Sequence, residues 1–248
     1  DLLGGVNPRG HAIADATDAA LLGALAIAGR EDAERWGAER ARVTFVAMGR
    51  YGGRECSYAS DADVIALHEA VGGASDSEAA ASATAIVNRV KKLLGSATSQ
   101  LGIVVDLDLR PEGKNGPMSR TIASHEEYAQ RWASTWERQA AVRARPIGDG
   151  ELAQAARSLF ESMAYRDVSE AEVRDIRLLK ARMENERLPR GTEPARHVKL
   201  GPGGLSDVEW TIQLIQMRHG REVEALRTSS TTDAIAAARD AGLLEAPD

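Results

Sequence analysis

The segment AMGRYGGRECSYASDADVIALHE, residues 47–69, joins two predicted strands through a loop that is rich in glycine. VTFVAMG before the loop predicts one strand from its β-branched and aromatic residues, and DVIAL after it predicts a second. Asp61 and Asp63 stand at the entrance to the second strand. Because residues two apart in a strand point to the same face, we expect these two carboxylates to lie side by side.

A pair of adjacent carboxylates favours a bound cation. Two like charges this close repel each other unless a cation lies between them, and magnesium commonly bridges one or two carboxylates to substrate phosphates. In the loop, Gly52 and Gly53 would let backbone amides approach a phosphate chain, and Ser60 would offer a hydroxyl donor. Short Asp-x-Asp strings also occur by chance and then cap or solvate a turn, but the glycine loop favours the functional interpretation.

A third acidic segment strengthens that interpretation. GIVVDLDLRPEGKNGP, residues 102–117, predicts a strand that runs into a turn at its prolines and glycines. Asp106, Asp108 and Arg110 alternate with apolar residues there, so all three are expected on one face. Three carboxylates on neighbouring strands can hold two metal ions and leave one acid to take a proton from an attacking hydroxyl. This pattern predicts nucleotidyl transfer.

Three arginines could bind a triphosphate, as arginine forks do: Arg110, Arg143 and Arg145. The alternative is an ion pair with Glu112 or Glu137. The sequence leaves both interpretations open.

Composition narrows the class of protein. The 248 residues are 43% hydrophobic and only 4% aromatic, and their abundant Ala, Leu, Glu and Arg predict an α+β fold weighted toward helix. A net charge of −6 argues against broad nucleic-acid binding, which needs a surplus of Lys and Arg. Cys56 is the single cysteine, so no intrachain disulfide forms, and we expect a buried reduced thiol. No apolar run approaches the roughly 20 residues of a membrane span, which predicts a cytoplasmic protein without a membrane partner.

The pattern becomes helical in the second half of the chain. An early helix is expected to close at Gly29, with EDAERWGAERARV, residues 31–43, as the alternative of a surface continuation. Residues 125–146 predict a helix with Trp132 and Trp136 packed on its apolar face. Capping boxes predict helix starts at 169–172 and 206–209. Strands lie before a change of composition near residues 147–152 and only helices after it, which predicts domains at 1–150 and 151–248.

Four separated blocks carry a resemblance: MGRYGGRECSYASDADV, DLDLRPEGKNGP, WERQAAVRARP and VKLGPGGLSDVEWTIQ. Together they resemble the nucleotidyltransferase superfamily and, within it, the glutamine synthetase adenylyltransferase family, also called glutamate-ammonia-ligase adenylyltransferase. The resemblance covers most of the chain, from Val46 to Gln213. It implies a nucleotidyltransferase fold, with a small mixed sheet flanked by helices, in residues 1–150, followed by an all-helical bundle in 151–248.

The resemblance also implies an activity. Family members are long cytoplasmic bacterial enzymes with two related halves, one transferring AMP from ATP to a tyrosine of glutamine synthetase and the other removing it by phosphorolysis. A PII-type signalling protein and glutamine shift the balance between these two activities. WERQAAVRAR resembles the adenylylating, C-terminal half, and DLDLRPEG resembles the actinobacterial branch. The phosphorolytic half and a non-catalytic regulatory or docking module remain as alternatives.

Carried over to this sequence, the family pattern implies particular site residues. The catalytic and magnesium-binding carboxylates fall on Asp61, Asp63 and Asp106, with Asp108 standing where the family usually has a basic residue. Either Asp106 or Asp108 could therefore be the general base, and Asp106 is preferred. Gly52, Gly53 and Ser60 match the family's loop for the nucleotide phosphates. Arg110 completes the residues expected to bind ATP, on the ground of its guanidinium fork.

Overall fold

The computed structural model describes residues 8–58, 60–95, 102–186, 193 and 196–244. Packing divides the chain into two compact units. One comprises Asp1–Ala133 with Arg143–Phe160, and the other comprises Ser134–Val142 with Glu161–Asp248. These units describe packing alone, so the division into domains at 1–150 and 151–248 stays a prediction.

The first unit contains a small mixed sheet, as the α+β fold class predicts. Its strands are β1 (Ala41–Ala47), β2 (Ala62–Ala70), β3 (Val105–Asp106), β4 (Ser119–Arg120) and β5 (Arg145–Pro146). Their order is β3-β2-β1-β5, and β4 also pairs with β2. β1 is antiparallel to β2 and β5, whereas β2 is parallel to β3 and β4. The helices that begin in this unit are α1 (Pro8–Trp36), α2 (Gly49–Gly52), α3 (Asp76–Leu94), α4 (Ile122–Arg131) and α6 (Glu151–Ala164), and the boundary between the units falls inside α6.

The core of this unit lies where α1 and α3 pack against each other and α3 packs against β1 and β2. α3 begins at a capping box, in which Glu78 N–H donates to Ser75 Oγ at 3.4 Å and Ser75 N–H donates to Glu78 Oε2 at 2.9 Å. Its buried face carries Ile86 and Val87 among several alanines. Small residues on this face let α3 approach α1 and the strands closely.

α1 bears on two expectations from the sequence. It does not close at Gly29 but continues to Trp36, as the alternative of a surface continuation predicts, because a glycine inside a helix costs only about 1 kcal/mol, which packing can outweigh. By length and composition it is also apolar enough to cross a membrane, so the prediction that no run approaches such a span is wrong. Leu21 and Ala24 nevertheless belong to the core, and the buried Asp32 accepts a hydrogen bond from Ser82. α1 therefore packs one face against the core of the first unit.

The predicted helix over residues 125–146 is two helices. α4 ends at Arg131, and α5 (Thr135–Ala141) begins afresh, with Ser134 N–H donating to Glu137 Oε2 at 2.7 Å. The cap at Ser134 therefore divides the apolar pattern between two helices. Trp132 is 73% exposed and Trp136 is 40% exposed, so the prediction that both pack in a core is wrong.

The second unit consists of helices in its described part, which confirms the helical region expected after the sheet. Besides α5, it holds α7 (Glu170–Glu186), α8 (Leu205–His219) and α9 (Thr231–Asp240). The capping box at the start of α7 is confirmed, since Ser169 N–H donates to Glu172 Oε2 at 2.9 Å. The box predicted at Ser206 is wrong, because α8 begins at Leu205 and Ser206 is buried within its first turn.

A buried arginine links α5 to α6 and to the start of α7 in this unit. Arg138 is 3% exposed, pairs with the Glu172 carboxylate and donates from Nε to Met163 O at 3.0 Å. Burial alone would raise the pKa of Glu172, but hydrogen bonds from Ser169 and Arg138 outweigh it and lower that pKa to about 2. The glutamate thus serves the helix cap and the buried charge at once.

Candidate active site

The structure places two of the predicted acids side by side. β2 and β3 pair in parallel, with Ala62 opposite Val105 and Asp63 opposite Asp106. Ala62 and Val105 are buried, whereas both aspartates are only partly buried. Alternation along each strand therefore turns the acids to the face away from the core, as the sequence predicts.

Asp61 lies just before β2 and is exposed. Within the described residues, no three His, Cys, Asp or Glu side chains form a group that could hold a metal ion. The pair Asp63 and Asp106 still fits magnesium, because this ion takes hard oxygen ligands and is commonly held by one or two carboxylates together with substrate phosphates. The set of three metal ligands, with Asp61 included, stays a prediction.

The two candidate bases have different surroundings. Asp106 is the last residue of β3, and its Oδ1 accepts the Asp108 N–H at 2.7 Å. Asp108 lies in the turn that follows, exposed, with Oδ2 at 3.2 Å from Lys114 Nζ. The strand is thus shorter than its sequence pattern, and only Asp106 is a direct neighbour of Asp63. This placement supports Asp106 as the preferred base.

β3 ends at Asp106, so the alternation predicted to place Arg110 on the face of the acids does not extend to it. The chain turns after β3, and the buried guanidinium of Arg110 donates to Leu107 O at 2.9 Å, to Gly116 O at 3.2 Å and to Lys114 O at 3.2 Å. These bonds hold the turn that follows the third strand together. A contact of Arg110 with ATP stays a prediction.

The ion-pair alternative for Arg110 fits Asp108 rather than the glutamates considered from the sequence. Arg110 Nη1 lies 3.9 Å from Asp108 Oδ1. Glu112 pairs instead with Arg120, and Glu137 accepts the N–H that caps α5.

The glycine turn, residues 49–53, lies against Asp63. Gly49 has a φ of +53°, and a Cβ placed on it would lie 3.1 Å from Asp63 Oδ2. At Gly52, a Cβ would lie 1.9 Å from Arg143 O and 2.7 Å from Ala47 O, so no side chain fits there. The absence of a side chain at Gly52 therefore serves close packing of the backbone, and Gly49, which sequence reasoning missed, is the glycine that faces the acid.

The amides of the predicted phosphate loop are engaged within the turn. Gly52 N–H donates to Met48 O at 2.8 Å, and Gly53 N–H donates to Gly49 O at 3.1 Å. Contacts of Gly52 and Gly53 with phosphate stay predictions.

Ser60 closes a second turn directly before the acids. Its Oγ accepts the Ser57 N–H at 2.9 Å, and its own N–H donates to Ser57 O at 3.0 Å. This turn sets the approach of the chain to Asp61. A hydroxyl contact of Ser60 with a nucleotide stays a prediction.

Arg143 and Arg145 are also bound within the protein. Arg143 Nη2 donates to Glu55 Oε2 at 2.7 Å, and Arg145 Nη1 donates to Asp18 Oδ2 at 2.7 Å. The ion-pair alternative is thus the one observed for these two arginines, although Glu55 and Asp18 take the place of the glutamates considered. The spacing of the two arginines in VRARP was visible in the sequence, but their partners were not.

Cys56 is buried near these groups, and burial raises the pKa of its thiol above its usual range. A protonated, buried thiol is a poor nucleophile, which agrees with the inert thiol predicted.

A cleft of about 490 Å³ lies elsewhere in this unit, between α1 and the start of β1. Its lining is largely apolar and includes Leu22, Leu25, Ala33, Val43 and Ile86. None of the predicted site residues lines it. This cleft is therefore separate from the predicted site at the strand ends and the glycine turn.

Comparison with protein-family models assigns most of the first unit. Residues 10–159 match the model described as glutamate-ammonia ligase adenylyltransferase. Residues 177–248 match a second model, described as GlnD PII-uridylyltransferase. The first match covers the glycine turn and all the predicted site residues.

Curated relatives agree with the first match. The chain is 47% identical over 248 residues to a bifunctional glutamine synthetase adenylyltransferase/adenylyl-removing enzyme of Streptomyces coelicolor, which covers 98% of this chain and 24% of that protein. It is 48% identical over 231 residues to the enzyme of the same name from Bifidobacterium longum, covering 90% of this chain and 22% of the relative. The chain thus spans about a quarter of the length of the curated relatives it matches. By the matched blocks, the family model and these relatives, the chain belongs to the glutamate-ammonia ligase adenylyltransferase family.

Proposed function

We propose that this chain transfers AMP from ATP to a tyrosine hydroxyl of glutamine synthetase and releases pyrophosphate. The observation that carries the proposal is the register of β2 and β3, in which Asp63 is opposite Asp106. Gly49 of the glycine turn lies against Asp63. The protein substrate is supported by the name of the relatives, which are glutamine synthetase adenylyltransferases.

In the proposed reaction the tyrosine oxygen attacks the α-phosphorus of ATP. A new phosphorus–oxygen bond forms to tyrosine, the bond from the α-phosphorus to the bridging oxygen breaks, and pyrophosphate leaves with that electron pair. Asp106 accepts the tyrosine proton. Its Oδ1 already accepts the Asp108 N–H at 2.7 Å, which orients the carboxylate.

Magnesium would be held by Asp63 and Asp106, joined by Asp61, and would supply charge neutralisation at the phosphates. The protein contributes the fixed spacing of the two carboxylates, since both belong to paired strands. The glycine turn contributes a surface without side chains beside Asp63.

The name of the relatives supports a second candidate. They are adenylyltransferase and adenylyl-removing enzymes in one chain, and this chain spans about a quarter of them. The same acids would serve phosphorolysis. In that reaction phosphate attacks the phosphorus of adenylyl-tyrosine and forms ADP, the bond from that phosphorus to the tyrosine oxygen breaks, and the tyrosine oxygen takes up a proton. We place transfer first because WERQAAVRAR resembles the adenylylating half.

The cellular setting is proposed on the same basis. The reaction would take place in the cytoplasm, and a PII-type signalling protein would act on the full-length enzyme. The net charge of −6 disfavours a nucleic-acid partner.

The test is incubation of the chain with magnesium, ATP and unmodified glutamine synthetase, followed by the intact mass of the synthetase. A gain of one AMP per subunit, absent with Asp63→Asn, is expected. Loss of AMP from a pre-modified synthetase, only when phosphate is added, would replace transfer by phosphorolysis. No change in either direction, in a chain that still folds, would favour a regulatory or docking module.

A further inference from the structure

Two arginines hold the glycine turn from outside the proposed reaction. Arg143 and Arg145, together called the arginine clamp, come from the segment VRARP at residues 142–146. β5 pairs antiparallel with the end of β1, with Ala47 opposite Arg145. Since the glycine turn follows β1 directly, this pairing brings the clamp alongside it.

Arg143 is bound to the first residue of α2 and to Glu55, which follows the helix. Its side chain is buried, and Nε donates to Gly49 O at 3.1 Å while Nη2 donates to Glu55 Oε2 at 2.7 Å. Its own carbonyl oxygen occupies the place that a side chain on Gly52 would need. Movement of Arg143 would therefore disturb the first and the last residue of this short helix.

Arg145 is bound to the same helix. Its Nε donates to Gly52 O at 3.2 Å and its Nη2 to Tyr51 O at 3.4 Å. Its guanidinium also forks onto Asp18, with Nη1 at 2.7 Å from Oδ2 and Nη2 at 3.0 Å from Oδ1. The Tyr51 hydroxyl donates to the same Asp18 Oδ1 at 2.5 Å, so one carboxylate ties α1 to the clamp and to the turn.

The turn held in this way is in contact with the acid. Gly49 lies so close to Asp63 that a Cβ would be 3.1 Å from Oδ2. Met48 N–H donates to Asp63 O at 2.9 Å, which fixes the main chain of the acid to the start of the turn. A shift of the turn would therefore shift the carboxylate or the space in front of it.

We infer that Arg143 and Arg145 are positioning residues that hold the glycine turn against Asp63 in the geometry needed for AMP transfer. The inference rests on the proposed function. The donors of both guanidinium groups point to carbonyl and carboxylate oxygens of the protein, which is the pattern of a support rather than of a triphosphate ligand.

The test uses Arg143→Lys and Arg145→Lys, which keep the charge and remove the planar fork. The matched control is Arg89→Lys, because Arg89 forms a similar fork on Glu31, at 2.6 and 2.8 Å, on an exposed surface between α1 and α3. Three quantities are measured: kcat and KM for ATP, the carbon-13 shift of the Asp63 carboxyl group, and amide exchange at Gly52 and Gly53.

Each clamp variant is expected to lower kcat by about tenfold or more, because a misplacement of about 1 Å can cost on the order of 100-fold in rate. KM for ATP should change by less than about threefold. The Asp63 carboxyl signal should move, and exchange at Gly52 and Gly53 should accelerate by about tenfold or more. Arg89→Lys should change none of these quantities.

A rise in KM for ATP with kcat retained would overturn the inference, because it would make the arginines phosphate ligands. Wild-type kcat and an unmoved Asp63 signal would overturn it as well, whatever the melting temperature. If the wild-type chain transfers no AMP, the proposed function fails, and the Asp63 signal and amide exchange still decide whether the clamp positions the turn. If Arg145→Lys does not fold, the same quantities are measured for Asp18→Asn, which weakens the same fork.

Discussion

Replacing Gly52 by alanine tests whether this glycine is required by packing. The added Cβ would lie 1.9 Å from Arg143 O, so it must move by at least about 1.1 Å to reach the 3.0 Å below which such contacts are essentially never found. The obstacle is backbone, as is Ala47 O at 2.7 Å, so no flexible side chain can yield. Overpacking typically costs about 1–3 kcal/mol and at times more, while the loss of glycine entropy in the unfolded chain returns about 0.4–1 kcal/mol.

We therefore expect Gly52→Ala to lower the free energy of unfolding by about 1–2.5 kcal/mol, toward the upper end of this difference because both obstacles are backbone oxygens. The matched control is Gly23→Ala in α1, where nothing lies within 4 Å of the added Cβ. Alanine is the better helix former, so that variant should gain about 0.5–1 kcal/mol.

Urea unfolding followed by circular dichroism measures both variants, read as the shift of the midpoint at unchanged slope. A Gly52→Ala variant as stable as wild type would refute the close approach of residue 52 to Arg143. Equal destabilisation of both variants would refute the argument that the local contact decides the sign.

Three further predictions concern single ionisable groups. Asp106→Asn should lower AMP transfer by about 100-fold or more, as loss of a general base does, whereas Asp108→Asn should lower it by less than about tenfold, and an equal loss in both would contradict the choice of base. Glu172→Gln should lower the free energy of unfolding by about 3 kcal/mol near neutral pH, because the buried Arg138 loses its charged partner. The folded-state pKa of Glu172 is about 2, below its ordinary value of 4.5, so the difference between variant and wild type should shrink as the pH falls from about 4.5 toward 2. Urea titrations in which the two stabilities do not converge over that range would contradict this prediction. Burial, together with the charge of Arg120, lowers the pKa of His125 to about 4 from 6.5, so between these values the unfolded chain binds a proton that the folded chain does not. The free energy of unfolding should therefore fall as the pH drops from about 6.5 toward 4. His125→Gln should make this pH dependence weaker, and an unchanged pH dependence would show that another group causes it.

Signals that lie within a few residues of one another were readable from the sequence. The strands on either side of the glycine loop follow from runs of β-branched residues, and the cap of α7 follows from a serine with a glutamate three residues later. The same spacing at residues 206–209 lies inside α8 and gives no such cap. The outward placement of Asp63 and Asp106 follows from alternation with buried neighbours. These features depend on backbone geometry that repeats every two to four residues, so no distant partner is needed to predict them.

The tertiary structure decided which groups each charged side chain binds. Arg110, Arg143 and Arg145 carry the same guanidinium as a phosphate ligand, yet carbonyl oxygens and carboxylates that the fold brings to them take up their donors. It also decided why Gly52 has no side chain, because the obstructing oxygen belongs to a residue far along the chain. The sequence by itself determined the family, the acids and the strands that carry them; their pairing, and the arginine clamp behind the glycine turn, required the chain to fold, since contacts between distant segments follow from packing and not from local preference.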